Sequence, residues 1–181
     1  MEDQPQRIRE FIGNLEWRRW KQVFLLFLLL TITVIAIGSS TTLSVEEGSE
    51  LLEEFESRLP QSTTQPIFTN NFVIAVLMFV PGLGPAAGVL ILYTTGVVIA
   101  ATGLSVNLPG ILLLLALLLL PFAWLEFISY SIAMTQSVFL VVGFVRRSVK
   151  RELVRTGLLL IVVFAMLLAG AFIEALFIQP E

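Results

Sequence analysis

The chain of 181 residues contains no cysteine and no histidine, and only 14% of it is charged. Without cysteine there is no disulfide framework, no haem attachment and no thiol chemistry. Without histidine the usual general base, the commonest metal ligand and every Ser/His or Cys/His nucleophile arrangement are missing. Zinc sites built on His or Cys are excluded, and carboxylates for an oxygen-only site are scarce in the apolar part. No metal and no other cofactor is expected. The glycines of "PGLGPAAG" (81–88) are not a phosphate loop, because no lysine follows them and no strand pattern precedes them.

Apolar residues make up the rest. Hydrophobic residues are 56% of the chain, where soluble domains run at about 45–50% apolar and about 25% charged. The apolar residues fall in long runs with no polar linker between them. The sequence therefore predicts an all-α, polytopic integral membrane protein whose first partner is the lipid bilayer. The net charge of −3 is the sum of very uneven segments and predicts no partner by itself.

Six segments follow along the chain. Residues 1–21 are polar and basic and read as an amphipathic, interfacial helix with Trp17 and Trp20. Residues 22–39 are a first transmembrane helix, read as an uncleaved anchor. Residues 40–69 form an acidic loop carrying Glu46, Glu47, Glu50, Glu53, Glu54 and Glu56. Within it Ser44 and Glu47 fit a capping box, and Val45, Leu52, Phe55 and Leu59 fall on one helical face. That face either lies on the protein's own membrane domain or docks a partner. Residues 70–145 are an almost uncharged membrane core. Residues 146–156 are a basic loop, and 157–181 a last transmembrane helix with a short tail.

The core is interrupted at 81–85 ("PGLGP"), 106–110 ("VNLPG") and Pro121. Proline removes a helix hydrogen bond and glycine loosens the backbone, so broken or re-entrant helices are expected there. Such breaks survive in a bilayer only where the freed backbone groups face protein or water. The expected arms 72–80 and 109–120 are too short to cross a ~30 Å core alone, and each precedes a longer arm, 85–103 and 122–145. Ten of the eleven Lys and Arg residues lie in 7–21 and 146–155. The positive-inside rule then puts the N-terminus in the cytoplasm, the acidic loop and the C-terminus outside, and about five spans between them. Anchoring and orientation account for the basic segments, so no nucleic acid is expected.

One residue stands out. Glu126 is the only charged residue between Arg58 and Arg146. On a helix, Ser129, Tyr130, Ala133, Gln136 and Ser137 share its side, while Leu125, Phe127 and Ile128 point away. Glu126 is thus expected to face protein rather than lipid, either as a hydrogen-bonded buried acid that fastens the Pro121 break to the Asn70/Asn71 entrance or as a proton, cation or substrate site. No Lys or Arg is near it in the sequence. Its partners are expected to be neutral: Asn70, Asn71, Tyr93, Thr94, Thr95, Tyr130, or amides freed at the Pro81–Pro85 break. Asn70 and Asn71 have a second reading, as ordinary N-caps of the arm that follows. Glu174, near the end of the last span, is expected to reach the interface. Gly84, Gly88, Gly96 and Ala100 form a ridge at multiples of four. Ser129, Ala133 and Ser137 form a second ridge of small residues, and both permit close helix packing.

These residues together resemble the stage II sporulation protein M family. The resemblance covers roughly residues 70–140. It rests on the pair Asn70 and Asn71, the glycines of "PGLGPAAG", the later Gly96, and Pro121 followed five residues on by Glu126. Where the family has Asn-Gly and Pro-His-Gly, this chain has Thr95-Gly96 and Pro121-Phe122-Ala123. The resemblance implies a small multi-pass protein without catalysis of its own. In spore-forming bacteria the named member works with peptidoglycan-degrading enzymes during engulfment, and many relatives occur where no spores are made. The implied role is a membrane partner that holds or organises others.

Three functions are open to such a chain. The first is a non-enzymatic subunit, scaffold or assembly partner of a membrane complex, among other membrane proteins or as a homo-oligomer. The second is a small oligomeric transporter or proton/cation pathway that uses Glu126. The third, an intramembrane enzyme, would have Glu126 alone for acid–base work, and no catalytic residue is assigned.

Overall fold

The computed structural model describes residues 4–58 and 64–177, and these are helical almost throughout. The helices are α1 (Gln4–Ser39), α2 (Val45–Arg58), α3 (Thr64–Met78), α4 (Gly84–Ser105), α5 (Gly110–Leu117), α6 (Pro121–Val145) and α7 (Val149–Phe177). Among the described residues four stretches are long and apolar enough to cross a membrane: Glu16–Ser39, Gly84–Ser105, Pro121–Val145 and Val149–Phe177. The 15 residues of α3 reach roughly 22 Å, and this shorter helix runs among the four as a fifth apolar member of the bundle.

Helix α6 is the centre. The most apolar part of α6 is 61% buried within the protein, against 22–33% for the other three spans. Helices α1, α3, α4 and α7 all pack on it, α1 also packs on α4, and α3 on α7. This explains its composition. Ser129, Ser131, Thr135, Gln136 and Ser137 are fully buried in α6, whereas Leu25, Leu26 and Leu29 on α1, and Leu158 and Ile161 on α7, stand exposed at the bundle's rim. Lipid covers the apolar rim, and protein covers the polar centre.

The three expected breaks are where helices end. Between α3 and α4, Gly82 takes φ 78°, a left-handed conformation in which a side chain would be strained. At the break the carbonyl of Val80 accepts from the Gly84 N–H at 2.9 Å and from the Ser137 hydroxyl at 2.6 Å. Gly84 follows immediately, and a Cβ there would overlap the Met78 carbonyl. Between α4 and α5, Asn107 takes φ 56° and Pro109 stands at the N-cap of α5. Pro121 opens α6 at its first turn, where the missing N–H costs nothing. Helix α5 doubles back against the same end of the bundle. A Cβ on Gly110 would meet both the Ala100 backbone and the Ser39 carbonyl.

Two expectations are revised. The N-terminal amphipathic segment and the first span are one helix, since nothing from Asn14 to Ile37 is proline or glycine. Helix α3 begins at Thr64, not near residue 72, with Pro66 in its first turn. Asn70 and Asn71 are therefore inside α3 and do not cap it.

Candidate functional site

A cavity of about 640 Å³ opens between α4, α5, α6 and α7 and is roofed by α2. Its walls are mostly apolar, from Ile74, Ile91, Ile99, Leu114, Leu117, Phe122 and Phe127. Its polar lining consists of Glu126 on α6, Glu174 on α7, Glu54 on α2, and Thr94, Thr95 and Thr102 on α4. Among the described residues no Lys or Arg lines it.

The first turns of α6 set Glu126 in place. Pro121 starts the helix, and the Trp124 indole donates to the Leu118 carbonyl at 2.8 Å, holding the turn of residues 118–120 against it. Asn71 then donates from Nδ2 to Glu126 Oε1 at 2.5 Å, and Asn70 donates to Asn71 Oδ1 at 3.3 Å. A chain of two amides thus ends on the carboxylate. Tyr130, one turn further along α6, is buried and lies within Coulombic range of both Glu126 and Glu174. No hydrogen bond joins it to Glu126 among the described residues.

The threonines show which way the cavity is wired. Thr94 and Thr95 donate to the Ile91 carbonyl at 2.8 and 2.9 Å, and Thr102 to the Val98 carbonyl at 2.9 Å. Their hydroxyl protons are engaged, so the oxygens offer acceptors to the cavity. Carboxylates are acceptors too when ionised. The lining is therefore matched to something that donates hydrogen bonds or carries positive charge. Among the described residues no three Asp or Glu side chains converge as a metal-holding set.

The other singled-out residues separate from this cavity. Ser129 is buried and donates to the Leu125 carbonyl at 2.7 Å. Ala133 is fully buried. Gln136 belongs to a second polar cluster near the basic end of the bundle. It accepts from the Trp20 indole at 3.2 Å and donates to the Glu152 carboxylate at 3.3 Å and to Thr156 Oγ1 at 3.2 Å. Glu152, only 3% exposed, also pairs with Arg151 at 3.1 Å and Arg155 at 3.4 Å. Gln136 shares the side of Glu126 on a helical wheel, but ten residues separate them by roughly 15 Å along the axis.

The glycine ridge of α4 meets a different neighbour at each step. A Cβ on Gly88 would strike the Met134 side chain, and one on Gly96 would strike the Ile35 carbonyl and the Gly38 backbone of α1. On α2, the helix expected either to lie on the protein's own membrane domain or to dock a partner, Gly48 is buried and faces Leu104, so this helix packs on α4. Leu51 and Phe55 face the cavity, Leu52 is half-buried and Val45 is exposed. Leu59 lies outside the described residues.

Sequence reasoning missed Glu152 and placed Glu174 at the interface rather than on the cavity. Both left a trace. Glu152 is the lone acid in a segment with five bases. Glu174 continues the buried stripe of Val163, Leu167, Gly170 and Ala171 at helical spacing.

A polytopic bundle around a broken-helix core, with a carboxylate held at a proline-opened helix start, defines a small helical membrane protein. A family model described as Stage II sporulation protein M matches residues 23–178. The chain belongs to the stage II sporulation protein M family. Comparison with curated proteins and with solved structures finds no match.

Proposed function

We propose that the protein is a non-enzymatic membrane subunit that holds or organises partner proteins through the acidic end of its bundle. The observation that carries this reading is the presentation of α2. Its capping box sets its first turn, and the buried Gly48 against Leu104 seats it on α4. Fixed in this way, it turns Glu46, Glu50 and Glu53 outward as an exposed acidic row. A rigid, charged helix on a membrane domain suits recognition of a basic partner segment. The orientation proposed with it puts the basic end, with Arg18, Arg19, Lys21 and Arg146, in the cytoplasm and α2 outside.

A photocrosslinking residue at Glu46, Glu50 or Glu53 tests the reading in native membranes. It predicts a discrete adduct with a different protein. Labelling of lipid alone, or none, counts against it.

The cavity favours a second reading: passage or storage of protons or of a small cation through a homo-oligomer. Glu126 and Glu174 among apolar walls, with the threonine oxygens of α4 turned to accept, support that reading. It predicts cation- or proton-dependent flux in vesicles that Glu126→Gln abolishes while assembly is retained.

A further inference from the structure

A second, smaller cavity of about 270 Å³ lies at the opposite end of the bundle, between α1, α6 and α7. Four arginines line it, Arg19, Arg146, Arg151 and Arg155, against two carboxylates, Glu16 and Glu152. Its floor is apolar, from Val23, Val138, Phe139 and Val142.

The charges are not evenly matched. Arg151 is bound to Glu16 at 2.7 Å and to Glu152 at 3.1 Å, and Arg155 to Glu152 at 3.4 Å. Arg19 and Arg146 have no carboxylate partner among the described residues. Arg19 lies on α1 and Arg146 at the C-cap of α6, and the two supply the surplus positive charge.

The height of the cavity in the bundle defines the occupant. The candidate spans start at Glu16 and Val149 and end at Val145, so the lining residues straddle the level where three spans meet the aqueous phase. Trp17 and Trp20, stacked at 5.3 Å, flank it, with Lys21 and Arg155 over the Trp17 ring. Tryptophan and basic residues at one level mark the headgroup region of a bilayer. A soluble anion would gain nothing from the valine and phenylalanine floor, whereas the glycerol and first acyl carbons of a lipid would. Basic pockets between transmembrane helices suit anionic headgroups for this reason.

We propose that this cavity is a binding site for one anionic phospholipid, its phosphate held between Arg19 and Arg146 and its glycerol end resting on Val23, Val138 and Val142. The site is independent of the acidic end and of the function proposed for it.

The test uses the full-length protein, purified in detergent and stripped of lipid. Phosphatidylglycerol, phosphatidylcholine and inorganic phosphate are added separately. Thermal unfolding and native mass spectrometry are then read. Phosphatidylglycerol is expected to raise the unfolding midpoint by about 5 °C and to remain bound as one molecule per chain. Phosphatidylcholine and inorganic phosphate are expected to do neither. The double variant Arg19→Gln with Arg146→Gln, which breaks no ion pair, is expected to lose most of that shift. Lys150→Gln, which removes a charge outside the cavity, is expected to keep it. An equal shift from phosphatidylcholine, or from inorganic phosphate, overturns the proposal. So does a lipid response that survives in the double variant.

Discussion

Asn71 on α3 donates its side-chain amide to the carboxylate of Glu126 on α6, 55 residues later in the chain. The bond ties the short helix that ends at one proline break to the long helix that begins at another. A hydrogen bond to a buried acidic group contributes about 1.5–3 kcal/mol, and an orphaned partner costs about as much. Asn71→Ala and Glu126→Ala are each expected to lower the unfolding midpoint in detergent by several degrees. The double variant is expected to be little worse than the poorer single one. Additive losses, or a Glu126→Ala protein as stable as the parent, would show that the two residues do not act as a pair.

The glycines divide by what a methyl group would hit. At Gly96 it meets backbone, the Ile35 carbonyl and Gly38 of α1. Gly96→Ala is expected to push α1 from α4 and to cost about 1–3 kcal/mol. At Gly88 it meets the flexible Met134 side chain, so Gly88→Ala is expected to cost less and to be rescued by Met134→Ala. At Gly157 nothing lies within 4 Å, and Gly157→Ala is expected to stabilise α7 by about 0.5–1 kcal/mol. Thermal unfolding of the four variants ranks them.

Glu152 ties three side chains of the basic end together, Gln136, Arg151 and Arg155. Glu152→Ala leaves Gln136 and Trp20 with a buried polar network short of one acceptor. The expected loss is on the order of 1–3 kcal/mol. Glu152→Gln, which keeps an acceptor for Gln136, is expected to recover part of it. Equal unfolding midpoints for the two variants would assign the whole effect to charge.

Helix α2 carries a pH dependence of its own. The Ser44 backbone N–H and then the Ser44 hydroxyl, both donating to Glu47, hold that carboxyl below its ordinary value of 4.5. A folded-state value below the unfolded one means that the contribution is complete above about pH 4.5 and fades as the pH falls through the lowered value. Protection of the amides in 45–50, relative to their intrinsic exchange rate at each pH, is expected to fall on acidification in the parent. The same step in Ser44→Ala is expected to be smaller, because the cap is already gone.

Much of the fold was legible because membranes leave few options. Pro81 sits between two helices and Pro85, Pro109 and Pro121 sit where helices start, since a proline inside a span leaves a carbonyl with no water to satisfy it. Glu126 was legible because it is alone. The start of α3 was not, because 59–69 carries neither the hydropathy of a span nor a clear cap, and packing against α7 decides it. The cavity was hidden for a different reason. From Gly157 to Ile173 helix α7 is apolar all round, so the stripe that turns Glu174 inward does not stand out by periodicity. Gln136 was misplaced because a helical wheel keeps angle and discards height.

The central claim is that this chain works as part of a membrane assembly. Native mass spectrometry of the protein extracted from its own membrane in mild detergent measures that directly. The account predicts a complex of fixed stoichiometry that includes at least one other membrane protein. The protein alone, or as a homo-oligomer without other chains, would contradict it.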